Sequence, residues 1–309
     1  MSGLNASLGY FVAVVIFAAS VRTLVRKWPR FSFILEFASS FMLVACWLEV
    51  QTIVEVGEWA GGLGPDVTVT MLFVLLLTHG VICGGMSGNP TLAVQGFLQL
   101  EATTLLTLLT VVAQFLGAHL ALLVAVYYWG LELTDMHMIK NLMARECSTS
   151  LLVSLLQGFF TECVCALIFH LVHLNLRRRS ALIRVPLIAV LLTFLSHTAR
   201  GYTSAYMNPS LAYGLTFHCP GFTFTEYAVV YWLSSLTGKL LNKSNIHALA
   251  DSSLRVNTLF RATVCFPGMT LALLLYMGHI PRIFAKNLFY FQKTRFRVPK
   301  GDKAEKKKQ

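Results

Sequence analysis

The chain has 309 residues, 56% of them hydrophobic and only 13% charged, with a mean hydropathy of +0.65. Soluble globular domains carry about 25% charged residues, so the composition excludes one and describes a chain whose solvent is largely the bilayer. The net charge of +11 gathers in loops and in the tail, which is the pattern of membrane orientation and not of a nucleic-acid footprint.

The apolar segments follow in chain order. Ser7 to Val25 is short and is read as a signal anchor, an extra span or an interfacial helix, because basic residues follow it instead of preceding it. Phe31 to Val54, Asp66 to Met86, Thr103 to Trp129, Ser150 to Leu176 and Ala181 to Thr198 each approach the roughly 20 residues that cross about 30 Å of hydrocarbon. Tyr227 to Gly238 and Met269 to Ile280 are each too short to cross, and a polar stretch, 239–268, separates them.

Joined directly, the two stubs have the length of one span. Burying Lys239, Lys243, Asp251, Arg255 and Arg261 of the intervening stretch would cost roughly 2.5–3.5 kcal/mol each. The stretch is therefore expected to be a retained intron, Gly238-Lys239 being encodable as a splice donor and Val264 to Gly268 as an acceptor. A genuine insertion with a surface helix is the alternative.

Charge orients the stack. Arg22, Arg26, Lys27 and Arg30, then Arg177, Arg178, Arg179 and Arg184, then the tail after Pro281 are the basic clusters. The positive-inside rule puts all three in the cytosol, and six spans from Phe31 onward satisfy this. The two halves then run in opposite orientation. Each has an acid in its first span, Glu36 and Glu162, and an Asn-Pro after its second, at Asn89 and Asn208. Intramembrane carboxylates are costly and face the protein interior; repeated at matching places, they read as an inverted repeat. The expected division is an N-terminal hydrophobic segment and linker (1–30), a first half (31–129), an interrepeat loop (130–148), a second half (149–281) with the suspect insert 239–268, and a basic tail (282–309).

MSGNPTLAVQ (Met86 to Gln95) and YMNPSLAYGL (Tyr206 to Leu215) carry the functional signal. Asn is a strong helix cap and Pro suits the first turn, so the spacing predicts helices over Pro90 to Leu98 and Pro209 to Phe217, neither long enough to span. Backbone that enters a bilayer without spanning it must be buried in protein or line a wet cavity. Two such half-helices entering from opposite faces would meet N-terminus to N-terminus. Their positive dipole ends would converge, with two Asn amides aimed at whatever passes.

The same residues carry a resemblance. The paired Asn-Pro motifs, FILEF (Phe33 to Phe37), VAQFLGA (Val112 to Ala118), YTSAYMNPSLA (Tyr202 to Ala212) and YWLSSLTG (Tyr231 to Gly238) resemble the aquaporin (major intrinsic protein) family, and within it the unorthodox, intracellular subfamily. The resemblance implies an all-α, polytopic membrane protein, an aquaporin-like inverted repeat of six transmembrane helices plus two re-entrant half-helices, assembled as a homotetramer with one pore per subunit. It implies Asn89 and Asn208 as pore donors, Pro90 and Pro209 as half-helix starts, and Glu36, Glu162 and Gln114 as structural support. Thr91 and Ser210 stand where the family motif has Ala, and Leu211 where conventional members carry a constriction Arg. Neither Arg200 nor His197 occupies that position.

The expected function is a passive channel for water or small neutral solutes such as glycerol or hydrogen peroxide, with a non-conducting or weakly conducting scaffold of the same fold as the alternative. No P-loop, dinucleotide fingerprint or catalytic triad pattern is present, so an enzyme is not expected, nor a cofactor. Most of the seven cysteines sit in apolar runs and read as small hydrophobes. Cys163-Val-Cys165 lacks zinc-type ligand spacing, so no metal is expected. His79, His119, His170, His173 and His197 read as structural. Lys306 and Lys307 fit a dilysine retrieval signal, which points to an intracellular membrane, the endoplasmic reticulum.

Overall fold

The computed structural model describes residues 3–56, 67–143 and 147–236. The suspect insert, the stub Met269–Ile280, the tail and the Lys306–Lys307 pair lie outside the described residues.

Among the described residues every regular element is helical. Five helices are long and apolar enough to cross a membrane: α1 (Gly3–Val25), α2 (Ser32–Glu55), α5 (Thr104–Gly130), α7 (Leu155–Leu176) and α8 (Ala181–Thr198). A sixth, α3 (Thr68–Cys83), is apolar but shorter. It stops before the expected Met86 because Gly84 closes it in the left-handed conformation, φ 60°, a conformation glycine adopts without a Cβ clash.

The first helix, left open between three readings, runs the full height of the bundle. Ala6, Tyr10, Val14 and Ala18, at a spacing of four, are its buried face, while Leu8, Val12 and Ile16 are exposed. Near its start Ser7 Oγ donates to the Glu49 carboxylate at the far end of α2. Near its end Arg22 Nη1 donates to the carbonyls of Ile82 (2.6 Å) and Val81 (3.0 Å) at the close of α3. A helix lying in the interface could not make both contacts; α1 stands alongside α2 and is long and apolar enough to cross with it.

α2 is the centre of the bundle. It is apolar all round and buried from Ala38 to Val50, as expected of a helix enclosed by others. It packs closely on α5 through a run of small residues, Gly117, Ala118, Ala121 and Ala125. Small side chains let membrane helices approach, since lipid supplies no hydrophobic drive for association. A Cβ at Gly117 would lie 2.3 Å from the Phe37 carbonyl oxygen, a backbone atom that cannot swing aside. Gly117→Val is expected to separate α2 from α5 and cost about 1–3 kcal/mol or more. Thermal denaturation of the purified protein in detergent measures it, and an unchanged transition would contradict this packing.

Two ends of the bundle are chemically distinct. At one, Arg177 pairs with Glu101 and donates to Gln99 (2.7 Å), close to the Arg22 contacts. This basic end collects both basic clusters of the described residues. At the other end α6 (Asp135–Met143), in the stretch read as an interrepeat loop, closes over α2 and α5. Its His137 is fully buried against Glu49 (3.0 Å), which also accepts from Trp129 Nε1 (3.0 Å). Lys140 pairs with Glu55 (3.0 Å).

A disulfide joins Cys147 to Cys219 at that same end, Cα atoms 5.2 Å apart. The sequence reading singled out neither of them for pairing. They lie in loops, outside the apolar runs, and the fold brings both loops to one end. The other four described cysteines, Cys46, Cys83, Cys163 and Cys165, are buried.

Candidate pore

Two short helices, α4 (Pro90–Leu98) and α9 (Pro209–Thr216), enter the bundle from opposite ends. Asn caps each one from an extended conformation. Asn89 Oδ1 accepts from Thr91 N (3.0 Å), and Asn208 Oδ1 accepts from Ser210 N (3.1 Å) and Leu211 N (3.3 Å). With Pro at the first helical position no N–H is wasted. The two N-termini meet, and each Asn reaches across to the other loop. Asn89 Nδ2 donates to Met207 O (3.1 Å), and Asn208 Nδ2 donates to Gly88 O (3.1 Å). One hydrogen of each amide thus ties the loops together, and the second remains for the cavity.

The residues that precede the two Asn are equivalent. Gly88 has φ 59° and Met207 has φ 50°. For Met207 this left-handed backbone is strained, and a buried carboxylate holds it. Glu162 accepts from Tyr206 N (3.0 Å) through Oε1 and from Met207 N (2.9 Å) through Oε2. In the other half, Glu36 Oε2 alone accepts from both Gly88 N (2.9 Å) and Gln114 Nε2 (2.9 Å).

Asn89, Asn208 and Leu211 line a cavity of about 390 Å³ that extends to the basic end past His79, His173 and Arg184. Pro90, Pro209, Thr91 and Ser210 are buried behind this wall. The hydroxyls that replace the motif alanines brace the amides: Thr91 Oγ1 donates to Asn89 Oδ1 (2.8 Å), and Ser210 Oγ reaches Asn208 Oδ1 (2.9 Å) and Gly88 O (2.8 Å). A second cavity of about 230 Å³ opens toward the disulfide end, lined by Glu55, Ser148, His197 and Arg200 among others. Trp47 and Tyr206, which sequence reasoning did not single out, line both. Among the described residues one His/Cys group closes within 4.8 Å, Cys147, His218 and Cys219; the disulfide uses both of its sulfurs.

Around Asn89 and Asn208 the larger cavity has walls of leucine, including Leu43, Leu76, Leu192 and Leu211. Two convergent helix N-termini add positive potential there. Such a wall can hydrogen-bond a neutral oxygen and disfavours a cation.

Apolar spans, two half-helices meeting at paired Asn-Pro motifs and a cavity lined by both Asn define a multi-pass α-helical membrane channel built on an inverted repeat. The chain is 40% identical to mouse (Mus musculus) aquaporin-12 over 97% of its own length and 95% of that protein. It is 38% identical to human (Homo sapiens) putative aquaporin-12B over 98% and 90% of the two chains. It is 30% identical to human aquaporin-11 over 76% and 86%. No family model matches. The chain belongs to the aquaporin family, in its unorthodox branch, a family of channels and not of enzymes.

Proposed function

We propose that this protein is a passive channel for water and small neutral solutes, glycerol and hydrogen peroxide among them, in an intracellular membrane, working as a homotetramer with one conduit per subunit. The observation that carries the reading is the pair Asn89 and Asn208, capping opposed half-helices in the wall of one cavity. Leu211 supplies no charge at its place in the wall, so exclusion of cations rests on the two helix termini. The orientation follows from the two ends of the bundle. The basic end faces the cytosol, and the disulfide end faces an oxidising compartment, which the lumen of the endoplasmic reticulum provides.

The test is stopped-flow light scattering on proteoliposomes. Osmotic shrinkage is expected above the empty-liposome rate. Asn208→Asp is expected to abolish most of it: the variant loses the donor to Gly88 O and places a second oxygen against that carbonyl. Folded protein that never exceeds the lipid rate, for water or for the named solutes, would reject the channel.

A second reading is a non-conducting or weakly conducting scaffold of the endoplasmic reticulum membrane. The division of the conduit into two cavities favours it. Unimpaired cellular function after replacement of both Asn would support it.

A further inference from the structure

The two cavities share two wall residues, Trp47 and Tyr206. Trp47 belongs to the conduit face of α2. Leu43 lies one turn toward the basic end and lines only the larger cavity, while Gln51 lies one turn the other way and lines only the smaller. Tyr206 comes from the re-entrant loop before α9. Its N–H is held by Glu162 (3.0 Å) and its hydroxyl by Ser150 Oγ (2.6 Å). Tyr231 packs on it with ring centroids 5.6 Å apart. The Trp47 and Tyr206 rings meet edge to face, centroids 6.0 Å apart and planes at 75°. That distance is van der Waals contact for an aromatic pair. The touching rings thus stand at the junction of the two cavities. Both side chains are nearly fully buried, at 6% and 3% exposure.

We propose that Trp47 and Tyr206 are the specificity-determining residues of this channel: one of the two rings must move for a solute to cross, and the gap so opened sets the size of solute that passes. The proposal rests on the channel reading above. Residue 211 is thereby not the place of selection. Leu211 lines only the larger cavity, on the basic side of the ring contact. The hydroxyl of Tyr206 is its one polar tether to the loop that carries Ser150, so a solute that displaces the ring must also break that bond. A water file gains little there, since an aromatic contact offers few hydrogen-bond partners and favours dewetting.

Two measurements test this. In proteoliposomes, Trp47→Ala and Tyr206→Ala are expected to raise glycerol permeability by about tenfold, and Leu211→Ala by less than either. Leu211→Ala changing the glycerol-to-water ratio while both aromatic variants leave it as in the parent would overturn the proposal and leave the channel standing. No flux above the lipid rate in the parent or in any variant would overturn both. Trp47→Phe and Tyr206→Phe cover poor folding of the alanine forms; Tyr206→Phe keeps the ring, removes the hydroxyl with its bond to Ser150, and is expected to raise glycerol flux in the same direction.

The second measurement needs no flux. Gln51→Cys and Leu43→Cys sit on either side of the ring contact. A membrane-impermeant thiol reagent added from the disulfide end is expected to modify position 51 and spare position 43, and to reach 43 once Tyr206→Ala is added. Equal labelling of 43 and 51 with both rings intact would show an open path and reject the constriction.

Discussion

Glu162→Gln is expected to abolish permeation and lower the melting temperature, while Glu36→Gln does far less of either. The two buried acids look equivalent in the repeat, but their oxygens are used differently. Glu162 spends one oxygen on Tyr206 N and the other on Met207 N. An amide in its place turns one of those acceptors into a donor aimed at an N–H. A buried donor without a partner costs roughly 1–3 kcal/mol, and the facing N–H groups repel as well. The released Met207 then leaves its left-handed conformation, and Asn89 loses the carbonyl to which its Nδ2 donates. Glu36 takes both of its donors on Oε2, so the oxygen of a glutamine can still accept them. Parallel melts and stopped-flow traces of the two variants decide the point. Equal losses would mean that the carboxylate charges matter and the hydrogen-bond pattern does not.

The second large effect is expected from Cys147→Ser. The disulfide closes 72 residues of chain, and loop-closure entropy for a ring of that size is worth about 4 kcal/mol. The bond also holds the segment whose Thr149 and Ser150 contact Thr216 at the end of α9 (3.5 and 3.0 Å). Ser150 in turn holds the Tyr206 ring. The variant is expected to melt earlier, the parent to match it under reductant, and the variant itself not to respond to reductant. A parent whose transition ignores reductant would show that the bond is not formed in the native protein. Thiol labelling of intact vesicles adds the side: only reagent on the oxidising side of the membrane should reach Cys147 in the reduced protein.

The repeat was legible because it is written in residues that are expensive in a bilayer. An acid within a span and an Asn-Pro after one admit few explanations, so Glu36, Glu162, Asn89 and Asn208 could be picked out one by one. The half-helix bounds followed from cap chemistry, with α9 stopping one residue short of the expected Phe217. Loops carry no such signature. The helix α6 is short and, though amphipathic, too polar on average to stand out among the spans, and its His137 matters because of Glu49, 88 residues away in sequence. The Cys147–Cys219 pair had a usable signal in the two loops assigned to one face, yet composition alone gave no reason to pair them. Trp47 and Tyr206 drew no attention in the sequence, since nothing local marks a ring as lying between two cavities.

Composition and the spacing of charges, acids and Asn-Pro pairs determined that this is a multi-pass helical membrane protein with two oppositely entering half-helices, because the bilayer penalises every polar group that is not enclosed. Tertiary structure alone decided that α1 packs along the bundle, that the motif hydroxyls brace the amides instead of facing the conduit, and that two aromatic rings touch at the junction of the two cavities. Those outcomes depend on which side chains from distant segments come to share a few ångströms of space, and a linear pattern does not contain that distance.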